Sequence, residues 1–212
     1  MPECVDPTWY DTPMFDLKLL KEIQNKILKE DFYSLCPADP KRIFRVFSMP
    51  VDKIKVIIIG QDPYPSRQHA NGLAFSIFPT VSVPYSLNII REDIKEQLEV
   101  DYFDSRFDNT LGLWVDSGVF LYNTSLTTLV GKPNSHKHIW YEFTTLFIKY
   151  INQHLSNIDI CLFGSSAQEF SILLTNSTNR IHLSNHPAAV KHNYEFKGPW
   201  RKINHVQWIV PF

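Results

Sequence analysis

Val56-Ile57-Ile58-Ile59-Gly60-Gln61-Asp62-Pro63-Tyr64 is a β-branched apolar run that stops at a glycine and gives way at once to polar, turn-forming residues. Four successive β-branched residues closed by a glycine read as a strand buried on both faces. Residues 119–122, 158–163 and 180–183 are three further runs rich in β-branched or aromatic residues, and they read the same way. Helix-length segments fall between and after them, at 86–98, 139–155, 166–174 and 200–205. Ahead of the first strand, Phe15, Leu17, Leu19, Leu20, Ile23, Ile27 and Leu28 recur at near-helical spacing among Lys and Glu, and Pro37, Pro40 and Pro50 then punctuate a connection. Strands separated by helices predict an α/β fold: a central four-stranded parallel sheet with right-handed crossovers, flanked by helices on both faces.

At 212 residues the chain needs no more than one core, and it has no internal repeat, low-complexity tract or Gly/Ser linker, so a single domain over 1–212 is expected. The longest apolar runs, such as 56–59 and 160–163, are far too short to cross a bilayer, and no membrane contact is expected. Residues 1–11 hold Glu3, Asp6 and Asp11 and no basic residue, unlike a secretory signal or an Arg-rich transit peptide. An intracellular, soluble protein of cytoplasm or nucleus is the expectation, and a monomer. Cys4, Cys36 and Cys161 are odd in number and widely spaced, which fits reduced thiols and neither a disulfide framework nor a cysteine metal cluster. The net charge of -1 argues against wholesale coating of nucleic acid, but charge is unevenly spread. Residues 91–116 are acidic, whereas 186–212 carry Lys191, Lys197, Arg201 and Lys202 against Glu195 alone, a basic end that can face phosphates or simply water.

The segments that leave the strands narrow the chemistry. Gly60-Gln61-Asp62-Pro63-Tyr64, Asn123-Thr124-Ser125, Gly164-Ser165-Ser166 and Ser184-Asn185-His186-Pro187 all extend from the carboxyl ends of their strands, where an open α/β sheet builds its ligand crevice. Asp62, stiffened by Pro63, is either a general base or the acceptor of a local Asx turn. His186, ahead of Pro187, can donate to a developing oxyanion as a neutral imidazole. Asn123 carries both donor and acceptor groups suited to a pyrimidine edge, and Phe75 offers a stacking face, although either residue can also be purely structural. His136 and His138 lack the Cys or carboxylate partners of a zinc site, and no G-x-S-x-G elbow supports a serine hydrolase. No metal and no cofactor is expected.

Taken together these segments resemble the uracil-DNA glycosylase family, in its main uracil-specific branch, from about residue 37 onward. Gly60-Gln61-Asp62-Pro63-Tyr64 resembles the family's water-activating loop, and Gly72-Leu73-Ala74-Phe75-Ser76 the segment with the base-stacking aromatic. Val83-Pro84-Tyr85-Ser86-Leu87 is similar to the loop that grips the DNA backbone, and residues 118–127 with 134–137 to the strand whose Asn reads uracil. Gly164-Ser165 resembles the phosphate-contacting turn, and His186-Pro187-Ala188-Ala189-Val190 the catalytic-histidine and wedge loop.

The resemblance implies an enzyme that flips uracil from single- or double-stranded DNA and hydrolyses its N-glycosidic bond, leaving an abasic site for base excision repair. It implies Asp62 and His186 as catalytic residues: the first orients water and stabilises the sugar cation, the second hydrogen-bonds uracil O2. Gln61, chiefly through its backbone, Phe75 and Asn123 would form the base pocket, and Tyr64 would exclude the thymine methyl. Ser86, Gly164 and Ser165 would contact phosphates, and Val190 would fill the vacated stack. The chain departs from the pattern in carrying Pro65 where His is common, as in poxvirus-like members, and Ala188-Ala189-Val190 where Ser-Pro-Leu is usual. The alternative is a glycosylase scaffold serving as a DNA-polymerase accessory or processivity protein with weak catalysis, in contact with replication or repair proteins. Other superfamily branches fit less well: those with an iron-sulfur cluster need four Cys ligands, and the mismatch-directed type normally has Asn in place of Asp62.

Overall fold

The computed structural model describes residues 2–30, 32–37, 39–100 and 103–211. Four parallel strands form the central sheet: β2 (Val56–Gly60), β3 (Val119–Asn123), β5 (Asp159–Phe163) and β6 (Arg180–Ser184), in the order β3-β2-β5-β6. Two short strands, β1 (Leu35–Cys36) and β4 (Thr128–Leu129), pair antiparallel in a separate ribbon. The helices are α1 (Leu17–Ile27), α2 (Pro40–Ile43), α3 (Tyr85–Leu98), α4 (Phe103–Arg106), α5 (Gly112–Asp116), α6 (Lys137–His154) and α7 (Ser165–Gln168), with several 3-10 turns between them. Asp16 caps α1 by accepting the N–H groups of Lys18 and Leu19 at 3.0 Å each, satisfying two otherwise orphaned donors.

Every residue of β2, β3 and β5 is buried, which is why these strands read as apolar runs, with polar residues only at the ends, Asn123 closing β3 and Asp159 opening β5. Register sorts their side chains into two layers: Ile57 pairs with Phe120 and Ile160, while Val56 pairs with Val119 and Asp159. On the first face Phe147 of α6 stacks on Tyr122 at 4.2 Å and on Phe120 at 5.6 Å, and the Tyr122 hydroxyl meets Thr144 Oγ1 at 2.6 Å. On the second face Phe163 meets Trp200 at 6.0 Å, and Trp200 packs with Trp208 and with Trp114 of α5. Helices thus cover both faces. No helix among the described residues is long and apolar enough to cross a membrane.

Two expected helices differ from expectation. Residues 200–205 form turns, because indole donors claim the carbonyls a helix would use: Trp208 Nε1 donates to the carbonyls of Trp200 and Ile203, and Trp200 Nε1 donates to Asp93 at 2.6 Å. Residues 166–174 give only α7 and a 3-10 turn at Ser171–Leu173, for want of an apolar stripe: Phe170 is buried against Tyr141, but Ile172 faces solvent.

Candidate active site

The sheet crosses from β3 to β5 on opposite sides of β2, and the loops leaving β2, β3 and β6 meet above that switch in a cleft of about 510 Å³. Gln61, Asp62, Tyr64, Phe75, Ser86, Asn123 and His186 all line it. Seven residues drawn from distant parts of the sequence are therefore brought together.

Gly60 makes the floor possible. A Cβ there would lie 2.8 Å from Asn123 Oδ1 and 3.1 Å from the Phe75 ring, so only a bare backbone lets the amide and the aromatic face converge. Phe75 sits in the left-handed region at φ 63. Its loop is held by Asn71, whose Oδ1 accepts the Leu73 N–H at 3.1 Å and whose Nδ2 donates to Ser76 Oγ at 2.7 Å. Asn123 is only 6% exposed, and its side-chain amide has no hydrogen-bond partner among the described residues. The amide lies at the wall of the cleft with its hydrogen-bonding groups open to whatever enters.

Asp62 accepts two hydrogen bonds, from Gln61 Nε2 at 2.9 Å and from the main-chain N–H of Asn134 at 2.6 Å. Of the Gln61 backbone, expected to serve the pocket, the carbonyl is taken by Thr124 Oγ1 and the Ser125 N–H. Tyr64 donates its hydroxyl to the Phe75 carbonyl at 2.9 Å, and burial pushes its phenol well above the usual range. Tyr64 and Phe75 are thereby tied.

His186 opens a 3-10 turn at Pro187–His192, and its Nδ1 accepts the Ala188 N–H at 3.1 Å. Burial lowers its pKa, with the Asp62 charge pulling the other way, so the ring is neutral at neutral pH. With Nδ1 engaged as an acceptor, the proton of the neutral ring lies on Nε2, free to donate. Gly164, at φ 91, lies directly behind: a Cβ there would come within 2.7 Å of His186 Cβ.

Ser165 is exposed at the start of α7. Val190 is half-buried and packed on the hydrophobic core, while its neighbours Ala188, Ala189, Lys191 and His192 face the cleft. Lys191 and His192 were visible in sequence only as part of a basic segment; Lys191 rests its ammonium 4.2 Å above the Tyr85 ring at the cleft edge. Asn71 and the Asn134 N–H left no chemical signal of their own. His136 is turned inward at 1% exposure, its Nδ1 facing Thr127 Oγ1 at 2.8 Å.

An aromatic wall, a free amide, a carboxylate and a neutral imidazole in one cleft define a site for a planar polar heterocycle. A model of the uracil DNA glycosylase superfamily matches residues 48–209, and the chain belongs to that family. It is 39% identical to the uracil-DNA glycosylase of Borreliella burgdorferi strain ZS7 over 183 residues, 85% of this chain and 80% of that one. It is 40% identical to the enzyme of the same name from Coxiella burnetii strain RSA 493, over 74% of this chain and 69% of that one. Among solved structures, a mimivirus UNG variant in complex with UGI superposes with a TM-score of 0.76 at 24% identity, covering 88% of this chain and 72% of that one. The UNG of Nitratifractor salsuginis gives 0.59 at 18%, covering 86% and 84%. At these identities the structural matches speak for the fold.

Proposed function

We propose that this protein is a DNA glycosylase that hydrolyses the N-glycosidic bond of flipped-out deoxyuridine, releasing uracil and leaving an abasic site. The observation that carries this reading is the unpaired amide of Asn123 facing the cleft beside the Phe75 ring, the pairing edge and stacking face an extruded pyrimidine requires. Family membership and the relatives named uracil-DNA glycosylase support it.

Bond breaking leaves positive charge on the sugar and negative charge on uracil. Asp62 would stabilise the first and orient the attacking water; His186, with its Nε2 proton, would donate to O2 as charge gathers there. A neutral donor suits this task, because it strengthens its bond as the oxyanion forms. Ser86, Gly164 and Ser165 are proposed to hold the backbone phosphates, and Val190 is assigned the wedge role on the resemblance alone. The chain is proposed to act as one domain and a monomer, on single- and double-stranded DNA.

The test is incubation with an oligonucleotide holding one uracil, without added metal, followed by alkali. Strand cleavage at the uracil alone is expected; salt-dependent DNA binding with no release would replace this reading with the accessory-protein one.

Two further outcomes are expected from the cleft. Tyr64→Ala should allow measurable thymine release from a thymine-containing oligonucleotide, because the ring that borders the C5 position is gone. Thymine release at background with uracil release intact would remove Tyr64 from the gate. Lys191→Ala should weaken binding uniformly across sequences and flatten the slope of log K against log salt by about 0.7 to 0.9, the share of one phosphate contact. An unchanged slope would show that Lys191 meets no phosphate.

A further inference from the structure

The Asp62 carboxylate is gripped by a segment far from its own loop. Residues 131–136 form a turn after β4 that touches the Asp62 loop twice: the Gly131 N–H donates to the Pro65 carbonyl at 2.9 Å, and the Asn134 N–H donates to Asp62 Oδ2 at 2.6 Å. Asn134 lies in the left-handed region at φ 64 within this turn. The turn is itself braced. Ser135 Oγ accepts the Leu129 N–H at 2.8 Å and meets Thr128 Oγ1 at 3.1 Å, while Thr128 Oγ1 donates to the Lys132 carbonyl. Beyond it, Trp140 Nε1 donates to Thr127 Oγ1, which faces His136 Nδ1, pinning the turn to the start of α6 in the buried core.

Gln61 Nε2 alone holds only one carboxylate oxygen, on a side chain that can rotate. The second donor, on the other oxygen, fixes the plane of the carboxylate, and it comes from main chain that has no rotamers to lose. We propose that the turn of residues 131–136 is a positioning element for the reaction: the Asn134 N–H holds Asp62 aimed at the sugar, and Ser135 holds Asn134 in place. This rests on the reading of Asp62 as the group that faces the sugar cation.

The decisive experiment replaces the Asn134 amide by an ester, through incorporation of the corresponding α-hydroxy acid at position 134, which deletes the N–H and keeps the side chain. On a uracil-containing oligonucleotide kcat should fall by about 10- to 100-fold, the span of a hydrogen bond to a charged group. KM should stay within about twofold, because ground-state binding is untouched. In an Asp62→Ala background, which leaves the N–H no acceptor, the same ester should cause no further loss, since it acts through the carboxylate. Equal losses in both backgrounds, or a loss carried by KM, would overturn the proposal. Ser135→Ala should lower kcat in the same direction and Ser135→Thr should restore it; a Thr variant as slow as the Ala variant counts against Ser135 as the brace. The amide proton of Asn134 gives a readout independent of turnover: its NMR resonance should move upfield in Asp62→Ala. An unmoved resonance overturns the positioning contact, whereas a moved resonance in a protein that releases no uracil overturns the glycosylase reading alone.

Discussion

Asp62→Asn is expected to lower the rate of uracil release by about three powers of ten or more, since general-base and electrostatic contributions are each worth about 10²-fold or more. The substitution preserves size and removes the charge proposed to face the sugar cation. It also disturbs the local geometry in a defined way. The carboxylate accepts from both Gln61 Nε2 and the Asn134 N–H, and an Asn side chain can accept from one while opposing the other with its own donor. Binding to uracil-containing DNA should survive, because Phe75, Asn123 and the residues proposed to meet phosphates are untouched. Single-turnover release compared with binding by fluorescence anisotropy separates the two effects. A variant that releases uracil near the parental rate would dismiss Asp62 as the catalytic group.

The largest effect on stability is expected at the opposite end of β5. Asp159, with its side chain 2% exposed, accepts from Arg180 Nε and Nη2 at 2.9 and 2.6 Å and faces His182 Nε2 at 2.6 Å. Burial alone would push its carboxyl up, but the bonds from Arg180 and His182 outweigh this and hold it below the usual carboxylate range. Hydrogen bonds to a charged group are each worth about 1.5–3 kcal/mol, and because the half-exposed Arg180 can turn to water when its partner is lost, Asp159→Ala should lie near 3 kcal/mol. That corresponds to a drop in Tm of roughly 6–12 °C for a chain of this size. A depressed folded pKa gives stability that is present above the unfolded value, about 3.9, and lost as pH falls through the folded value. Burial lowers His136 and His186 as well, so their contribution has the same sign and begins to fade below about pH 6.5. Urea unfolding at pH 7.5, 5 and 3 should show both stages in the parent, and in Asp159→Ala a smaller lower stage, the part left by Asp108, whose carboxyl is likewise held below the usual range by hydrogen bonds from Thr110, Gly112 and Leu113. Identical acid profiles would mean that Asp159 is not a source of the lower stage.

The sheet was legible because strands buried on both faces are written almost wholly in apolar residues, as 56–59, 119–122 and, apart from Asp159, 158–163 are. Residues 200–205 misled for a tertiary reason. Nothing local announces that the Trp208 indole will take the carbonyls of Trp200 and Ile203. The cleft residues Asp62, Phe75, Asn123 and His186 were reached through loop motifs, each ambiguous alone and informative in order. Asn134 was quoted only as part of a matching segment, since the contact that gives it meaning joins residues 72 positions apart through a main-chain N–H, which no side-chain pattern encodes. Val190 illustrates the converse: its place in the loop motif is clear, yet the side chain rests on the core and not in the cleft.

On the proposed roles, the hydrogen bond from Tyr64 to the Phe75 carbonyl joins the wall that would set which bases enter to the wall that would hold them once inside. Phe75 already occupies a backbone conformation that L side chains adopt reluctantly, so a tether on its carbonyl helps to keep the ring in place. With those roles, base range and base affinity would not be separate dials in this protein. A lineage, or an engineer, that widens the pocket at position 64 also slackens the surface on which every base must lie, and the newly admitted substrates meet a less ordered site than uracil does now. Broader substrate range would be reached most readily by changes made in pairs, the second restoring at residues 71–76 the rigidity that the first removed.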